Sequence, residues 1–259
     1  MNLNLRGKVA IVTGVSSIKV RMGLGAAISE VLAQEGVNVV ANYIVDGEDV
    51  LEFAENLNKK YGVQCTAMYG DVSKPGDIDV IIDKTLKIYG KMDILINNAG
   101  ILPVTNVTDM ADEEWERVIK INLSGAFFFS KRFANYLIRK EKPGRILNIT
   151  SKSGFSVTSP GRSHYAVSKG GLVTLTKALA REFTQYRIIV NGIAPGILRT
   201  PLNNKLLENH EAERNYIKRV PMGRMTDPME IAYMAAFMVS DKAETTPGTV
   251  VDATGGMLI

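Results

Sequence analysis

The 259-residue sequence holds one cysteine, Cys65. That excludes an internal disulfide framework and a multi-cysteine zinc cluster. Only two histidines, His164 and His210, are present. They are too few for a histidine-built site, so no metal is expected. No apolar run reaches the roughly 20 residues that a membrane-spanning helix needs. The longest, residues 231–239, has the length of a core helix. The N-terminus MNLNLRGKVAIVTG lacks a long apolar segment and a small-residue cleavage site, so it does not read as a secretory signal. Excess charge of one sign is lacking too: 31 basic and 27 acidic residues leave a net +4. The densest basic patches, 139–145 and 218–224, carry no interleaved base-stacking aromatics. They read as solvated helix ends rather than as a nucleic-acid face. A cytoplasmic protein with neither nucleic acid nor membrane as partner is expected. With 46% hydrophobic and 22% charged residues, the chain is long enough to bury a large core as one domain, 1–259.

What is present is alternation. Short apolar runs end in Gly, Asn, Thr or Ser, and longer segments of helical period follow. Strands are expected at 8–12, 37–43, 63–69, 93–96, 145–150, 188–193 and 249–251. Helices are expected at 23–34, 47–61, 75–89, 112–121, 124–139, 164–183 and 228–239. The runs VAIV, DILI and RILNI do not alternate apolar with polar, which suits strands covered on both faces. Right-handed crossovers then give an α/β fold, a doubly wound parallel sheet of Rossmann type in three α/β/α layers. In that architecture ligands bind beyond the carboxyl ends of the strands. Thr13-Gly14, Asp71, Asn97-Asn98, Thr150-Ser151 and Ala194-Pro195-Gly196 all fall at such ends.

Each end has a chemistry. Thr13-Gly14 closes the first strand, and Gly23-Leu24-Gly25 opens the first helix. Glycine lets the backbone approach a pyrophosphate, and the helix N-terminus favours its charge. The same glycines also serve close helix–strand packing. In Asn97-Asn98-Ala99-Gly100 the amides are suited to tie neighbouring strands while the small residues leave room for a ligand. Asp71 suits a hydrogen bond from an adenine amino group, or a turn. Tyr165 and Lys169, at i and i+4, share one helix face. An ammonium beside a phenol favours the phenolate and lowers the tyrosine pKa, which would make Tyr165 a proton donor and acceptor near neutral pH. A second such spacing, Tyr136 and Lys140, lies towards the end of an amphipathic helix and reads as structural. Ser151, fourteen residues before Tyr165, ends a strand.

Together these motifs, with Asn122, Pro195-Gly196 and Thr200, resemble the short-chain dehydrogenase/reductase family over nearly the whole chain, to Gly255-Gly256. The Tyr-xxx-Lys form is similar to ketone/alcohol oxidoreductases; enoyl reductases of related fold usually space the two residues further apart. The resemblance implies a catalytic set. Tyr165 would exchange the proton with the carbonyl or hydroxyl oxygen, and Ser151 would stabilise that oxygen. Lys169 would depress the Tyr165 pKa and hold the nicotinamide ribose, and Asn122 would support a relay water near Lys169. It also implies cofactor contacts at Gly14, Ser16, Gly23 and Leu24, at Tyr43, at Asp71 and Val72, and at Asn98, Ala99 and Gly100. Tyr165 and Lys169, and Pro195, Gly196, Ile197 and Thr200, complete that set. The sequence departs from the family pattern between Gly14 and Gly23. Eight residues stand there where three are usual, and Lys19 and Arg21 are among them. Ser151 also stands one residue further from Tyr165 than usual, with Ser153 as the fallback.

The second strand ends at Tyr43, flanked by Asn42 and Ile44. NAD-preferring members usually carry an acid there. Its absence, with Lys19 and Arg21 in reach, favours NADP(H), with NAD(H) as the alternative. Residues 197–224 are expected to form a substrate lid. Leu198, Leu202, Leu206, Leu207, His210, Tyr216 and Met222, with Pro103, Val104, Phe155 and Val157 opposite, suggest a moderately apolar pocket for a small-molecule carbonyl or alcohol. A 3-oxoacyl-(acyl-carrier) reductase and a nicotinamide-binding sensor without turnover are the competing functions. A homotetramer or homodimer joined by the helices at 124–139 and 164–183 is expected.

Overall fold

The computed structural model describes residues 2–16, 22–45, 47–157 and 159–259. In chain order the elements are β1 (Val9–Val12), α1 (Leu24–Gln34), β2 (Asn38–Tyr43), α2 (Gly47–Tyr61), β3 (Cys65–Tyr69), α3 (Pro75–Tyr89) and β4 (Ile94–Asn97). There follow α4 (Asp112–Ile119), a π turn (Lys120–Ser124), α5 (Gly125–Arg139), β5 (Gly144–Ile149), α6 (Ser163–Phe183) and β6 (Ile188–Pro195). Two short helices, α7 (Asn204–Leu207) and α8 (His210–Ile217), precede α9 (Pro228–Met238) and β7 (Val250–Ala253). All seven strands are parallel, in the order β3-β2-β1-β4-β5-β6-β7. The expected doubly wound sheet is what forms.

The apolar strands are explained by two covered faces. Ala10 and Val12 of β1, Val39 and Ala41 of β2, and Ile94 and Ile96 of β4 pack with α1, α2 and α9 on one side. Ile11, Val40 and Leu95, between them in sequence, pack with α3, α5 and α6 on the other. Alternate residues point to opposite faces, so every position must be apolar. Helix ends follow local rules. Pro75 starts α3, and Gly90 ends it at φ 72°, where an L side chain would be strained. Asp227 and Glu230 form a reciprocal cap at the start of α9.

The sequence leads to two separate helices around Asn122, but a single π turn joins α4 to α5. Such turns recur at functional sites. Segment 197–224 also holds α7 and α8, which were not expected; α8 buries no residue, so its sequence has no apolar stripe to reveal it. Among the described residues no helix is long and apolar enough to cross a membrane. No group of three His, Cys, Asp or Glu is arranged for a metal among them either.

Candidate active site

The chain winds one way through β1, β2 and β3 and the other way from β4 onward, so the topology reverses between β1 and β4. A cavity of about 440 Å³ opens there, beyond the carboxyl ends of the strands. It is lined by Gly14, Ser16, Gly23, Leu24, Tyr43, Asp71, Val72, Asn98, Ala99 and Gly100. Ser151, Tyr165, Lys169, Pro195, Gly196, Ile197 and Thr200 line it too. Of the residues singled out in the sequence, Asn122 stands behind the wall. Lys19 and Arg21 lie outside the described residues.

At the switch point, backbone meets backbone. Gly14 has φ +69°, and a Cβ on it would lie 2.6 Å from Ala99 Cα. A Cβ on Gly25 would meet the Gly14 carbonyl oxygen at 2.7 Å. Asn98 Nδ2 donates to the carbonyl oxygens of Thr13 (2.8 Å) and Gly14 (3.1 Å), and the Thr13 hydroxyl oxygen accepts from the N–H groups of Asn98 and Ala99, both at 3.0 Å. The two loops are thereby one unit. Gly23, at the N-cap of α1, offers no side-chain cap, and the first turn carries no acid. The open N–H groups and the positive end of the helix dipole therefore meet the cavity. Asp71 lines the cavity and also makes the turn read from its sequence: Ser73 N–H donates to Oδ1 at 2.9 Å.

At β5 the chemistry changes. Ser151 follows the strand, and its oxygen accepts from Ser153 N–H at 3.1 Å. Ser151 and Ser153 both line the cavity, and Ser151 acts on the Tyr165 phenol by opposing the rise in its pKa. The turn carrying Ser151 lies tight against α6. A Cβ on Gly154 would stand 2.8 Å from the Lys169 backbone carbonyl carbon and oxygen. Tyr165 and Lys169 are both buried, with Lys169 Nζ 5.9 Å from the Tyr165 ring centre. Nζ donates to the Ile149 carbonyl oxygen at 2.8 Å.

The expected depression of the tyrosine pKa is corrected by this geometry. Burial pushes the Tyr165 phenol up, against the opposing pull of the Ser151 hydrogen bond and the Arg162 charge. Burial also pulls Lys169 down to about 8. Desolvation is the largest cause at both groups, which sit in the same water-poor wall.

Asn122 is spent on structure. Its Oδ1 accepts from Ile101 N–H at 2.9 Å, and its Nδ2 donates to the Ile101 carbonyl oxygen and to Ser168 Oγ. A Cβ on Gly100 would fall 3.3 Å from Asn122 Oδ1 and 3.5 Å from Lys169 Nζ, so Gly100 lies between them. Asn97 bonds Asn148 and Ser130, and Asn148 bonds Thr176, a buried polar network joining β4, β5, α5 and α6 beneath the site. Tyr136 and Lys140 do not line the cavity.

Three residues escaped the sequence reading. His164 is fully buried. Its Nδ1 accepts from Tyr165 N–H at 2.9 Å, and its Nε2 stands 3.3 Å from Glu114 Oε1. Lys152 and Arg162 line the cavity beside Tyr165. Their signal was available, since cations flanking a catalytic motif at a strand end and a helix start are not surface decoration by default. The pocket is thus not simply apolar. Of the apolar residues proposed for its walls, only Leu198, Leu202 and Val157 line it, with Tyr216.

A family model described as "Enoyl-(Acyl carrier protein) reductase" matches residues 18–258. The 3beta-hydroxysteroid dehydrogenase 1 of Eggerthella lenta is 37% identical over 256 residues, 99% of this chain and 95% of the relative. The 3-oxoacyl-[acyl-carrier-protein] reductase FabG of Thermotoga maritima is 34% identical, covering 99% of this chain and 100% of the relative. Among solved structures, a gluconate 5-dehydrogenase from Burkholderia cenocepacia in complex with NADP and tartrate superposes with a TM-score of 0.90. It is 28% identical over 99% of this chain and 97% of that one. Likeness over the full length, joined to a Ser–Tyr–Lys cluster at the mouth of a doubly wound sheet, places the chain in the short-chain dehydrogenase/reductase family.

Proposed function

We propose that this chain interconverts a secondary alcohol and a ketone by hydride transfer, with NADP(H) favoured and NAD(H) as the alternative. One observation carries the reading. A glycine-lined, uncapped helix N-terminus and a buried Ser151–Tyr165–Lys169 cluster share one cavity. The residues fit the cofactor. Gly14 and Gly23 keep side chains away from the diphosphate, and the α1 N–H groups meet its charge. Asp71 and Val72 suit the adenine end. Tyr43, Ile44 and Val45 bring no acid against a 2′-phosphate. Lys19 and Arg21 are proposed to add charge for it.

When bound, the nicotinamide supplies or accepts the hydride. Tyr165, protonated at neutral pH because burial raises its pKa, gives its proton to the carbonyl oxygen in reduction and recovers it in oxidation. Ser151 donates to the same oxygen as its charge develops. Lys169, anchored by Ile149, turns its remaining N–H groups to the ribose hydroxyls. Asn122 acts as a positioning residue that holds the Gly100–Ile101 turn against Lys169. Pro195, Gly196, Ile197 and Thr200 line the cavity and would hold the nicotinamide end of the cofactor. The whole chain works as one domain, and segment 197–224 closes over the substrate. Exposed Phe127 on α5 and Val167 on α6 support a homotetramer or homodimer through those helices. A reducing cytoplasm suits the lone Cys65.

The test is turnover of a ketone and alcohol panel with NADPH and NADH, repeated with Tyr165→Phe. A fall of about 10²–10⁴ in kcat is expected, with cofactor binding kept. Unchanged turnover refutes the role of Tyr165. The relative from Thermotoga maritima favours a second reading, reduction of a carrier-linked 3-oxoacyl thioester. Preference for such a thioester over free ketones would select it. Reduction of an enoyl thioester instead would select the chemistry in the family description. Tight NADPH binding without turnover would select the sensor.

A further inference from the structure

Tyr165 stands in the first turn of α6, where helix geometry leaves backbone N–H groups without intrahelical partners. The residue at the N-cap, Arg162, makes no side-chain bond to them. His164 caps instead, with an imidazole in place of the usual Ser, Thr, Asp or Asn. Its Nδ1 accepts from Tyr165 N–H at 2.9 Å. A ring nitrogen that accepts carries no proton, so the neutral ring holds its proton at Nε2. Nε2 faces Glu114 Oε1 of α4 at 3.3 Å. Both atoms are buried, and neither has another hydrogen-bond partner among the described residues. The carboxylate therefore favours one orientation of the ring, with Nε2–H towards Glu114 and Nδ1 towards Tyr165.

The carbonyl side of Tyr165 is held in the same manner. Ser168 Oγ donates to the Tyr165 carbonyl oxygen at 2.8 Å and accepts from Asn122 Nδ2 at 3.1 Å. Glu114 belongs to α4, and Asn122 to the π turn that continues it. The main chain of Tyr165 is thus tied at its N–H and at its carbonyl to one continuous stretch of helix, 112–124. Apolar contacts alone would pack α6 on α4. A fully buried imidazole and a partly buried carboxylate are placed instead on the amide of the residue that carries the phenol. Buried polar groups are costly unless they are matched, and these are matched to each other and to Tyr165.

We propose that His164, oriented by Glu114, is a positioning residue: it fixes the main chain of Tyr165 so that the phenol meets the substrate oxygen beside Ser151. This deepens the oxidoreductase reading and rests on it. His164 does not line the cavity, so it acts through Tyr165 and not on cofactor or substrate. A reacting group displaced by about 1 Å can lose about 10²-fold in rate, and the loss of one tie out of two should cost about tenfold.

The test is a single turnover. The full chain carrying substoichiometric NADPH is mixed with a saturating amount of the best ketone of the panel, and loss of NADPH absorbance is followed. The rate constant reports the placement of Tyr165, and the amplitude reports the fraction of chain that is active. His164→Phe removes both ring nitrogens and should lower the rate constant about tenfold at unchanged NADPH affinity. His164→Asn, whose Oδ1 replaces Nδ1 as acceptor, should return to within about threefold of wild type. Glu114→Leu should lower the rate constant about threefold, while Glu114→Gln, which keeps an oxygen towards Nε2–H, should not. If His164→Phe does not fold, His164→Gln takes its place, because it keeps a donor towards Glu114 and lacks the acceptor. A reduced amplitude at an unchanged rate constant, no recovery in His164→Asn, or a wild-type rate constant in Glu114→Leu overturns the proposal. If wild type turns over nothing on the panel, the oxidoreductase reading is what fails. The placement of Tyr165 is then judged by its titration in the 13C-tyrosine-labelled chain, its resonance identified through Tyr165→Phe. Ser151 opposes the rise of the phenol pKa, so displacement in His164→Phe should move the midpoint up by about half a pH unit or more, with recovery in His164→Asn. An unmoved midpoint overturns the proposal.

Discussion

Gly154→Ala adds one methyl group where the turn carrying Ser151 lies against the backbone of α6. Its Cβ would stand 2.8 Å from the Lys169 carbonyl carbon and oxygen and 3.0 Å from Gly170 N. All three are backbone atoms within α6, so no flexible side chain can yield. Restoring ordinary contact requires the turn to retreat by roughly 0.6 Å, and overpacking of this kind costs about 1–3 kcal/mol. For a chain of this size that lowers Tm by about 2–6 °C. The retreat also carries Ser151, tied to the turn through Ser153 N–H, away from Tyr165. A misplacement of about 1 Å can cost about 10²-fold in rate, so roughly tenfold is expected in kcat here. Gly170→Ala is the control. Its Cβ meets Gly154 O at 3.4 Å, ordinary contact, and alanine favours the helix by about 1 kcal/mol. Steady-state kinetics on the best substrate and thermal melts of both variants are the assay. A Gly154→Ala enzyme with wild-type kcat would refute the argument that this contact sets Ser151 against Tyr165.

Two further outcomes follow from buried groups. Lys169→Met should abolish turnover yet stabilise the cofactor-free chain at pH 7. The folded pKa, about 8, lies below the ordinary 10.5, so the burial penalty is full below pH 8 and vanishes as pH rises through 10.5. The shift is worth roughly 3 kcal/mol, offset by about 1 kcal/mol for the lost bond to Ile149. Urea unfolding at pH 7 and pH 10 should show the variant's advantage shrinking at the higher pH; an advantage independent of pH would refute the assignment. Asn122→Ala strands both polar groups of Ile101 and should cost about 2–4 kcal/mol in the same unfolding assay. A cost below about 1 kcal/mol would mean that the turn does not depend on it.

The sequence alone determined the architecture and the address of the site. Runs such as Val9–Val12 and Ile94–Asn97 announce strands with two covered faces, because local apolar pattern and strand period agree there. The glycines at 14 and 23 and the Tyr165–Lys169 spacing were legible for the same reason, being local in the chain. Helix α8 was not legible, since it has no fully buried residue. Nor was the state of the site. Whether Lys169 lowers the Tyr165 pKa depends on how much water each group loses, and that is a property of packing between β5, α6 and the 98–101 turn. Asn122 reads as a relay residue, and only the fold shows that its amide also ties Ile101 to Ser168. The cations Lys152 and Arg162 come from separate stretches that read as loop. Only the fold gathers them at one cavity with Tyr216, because charge acts through distance in space while a sequence records distance along the chain.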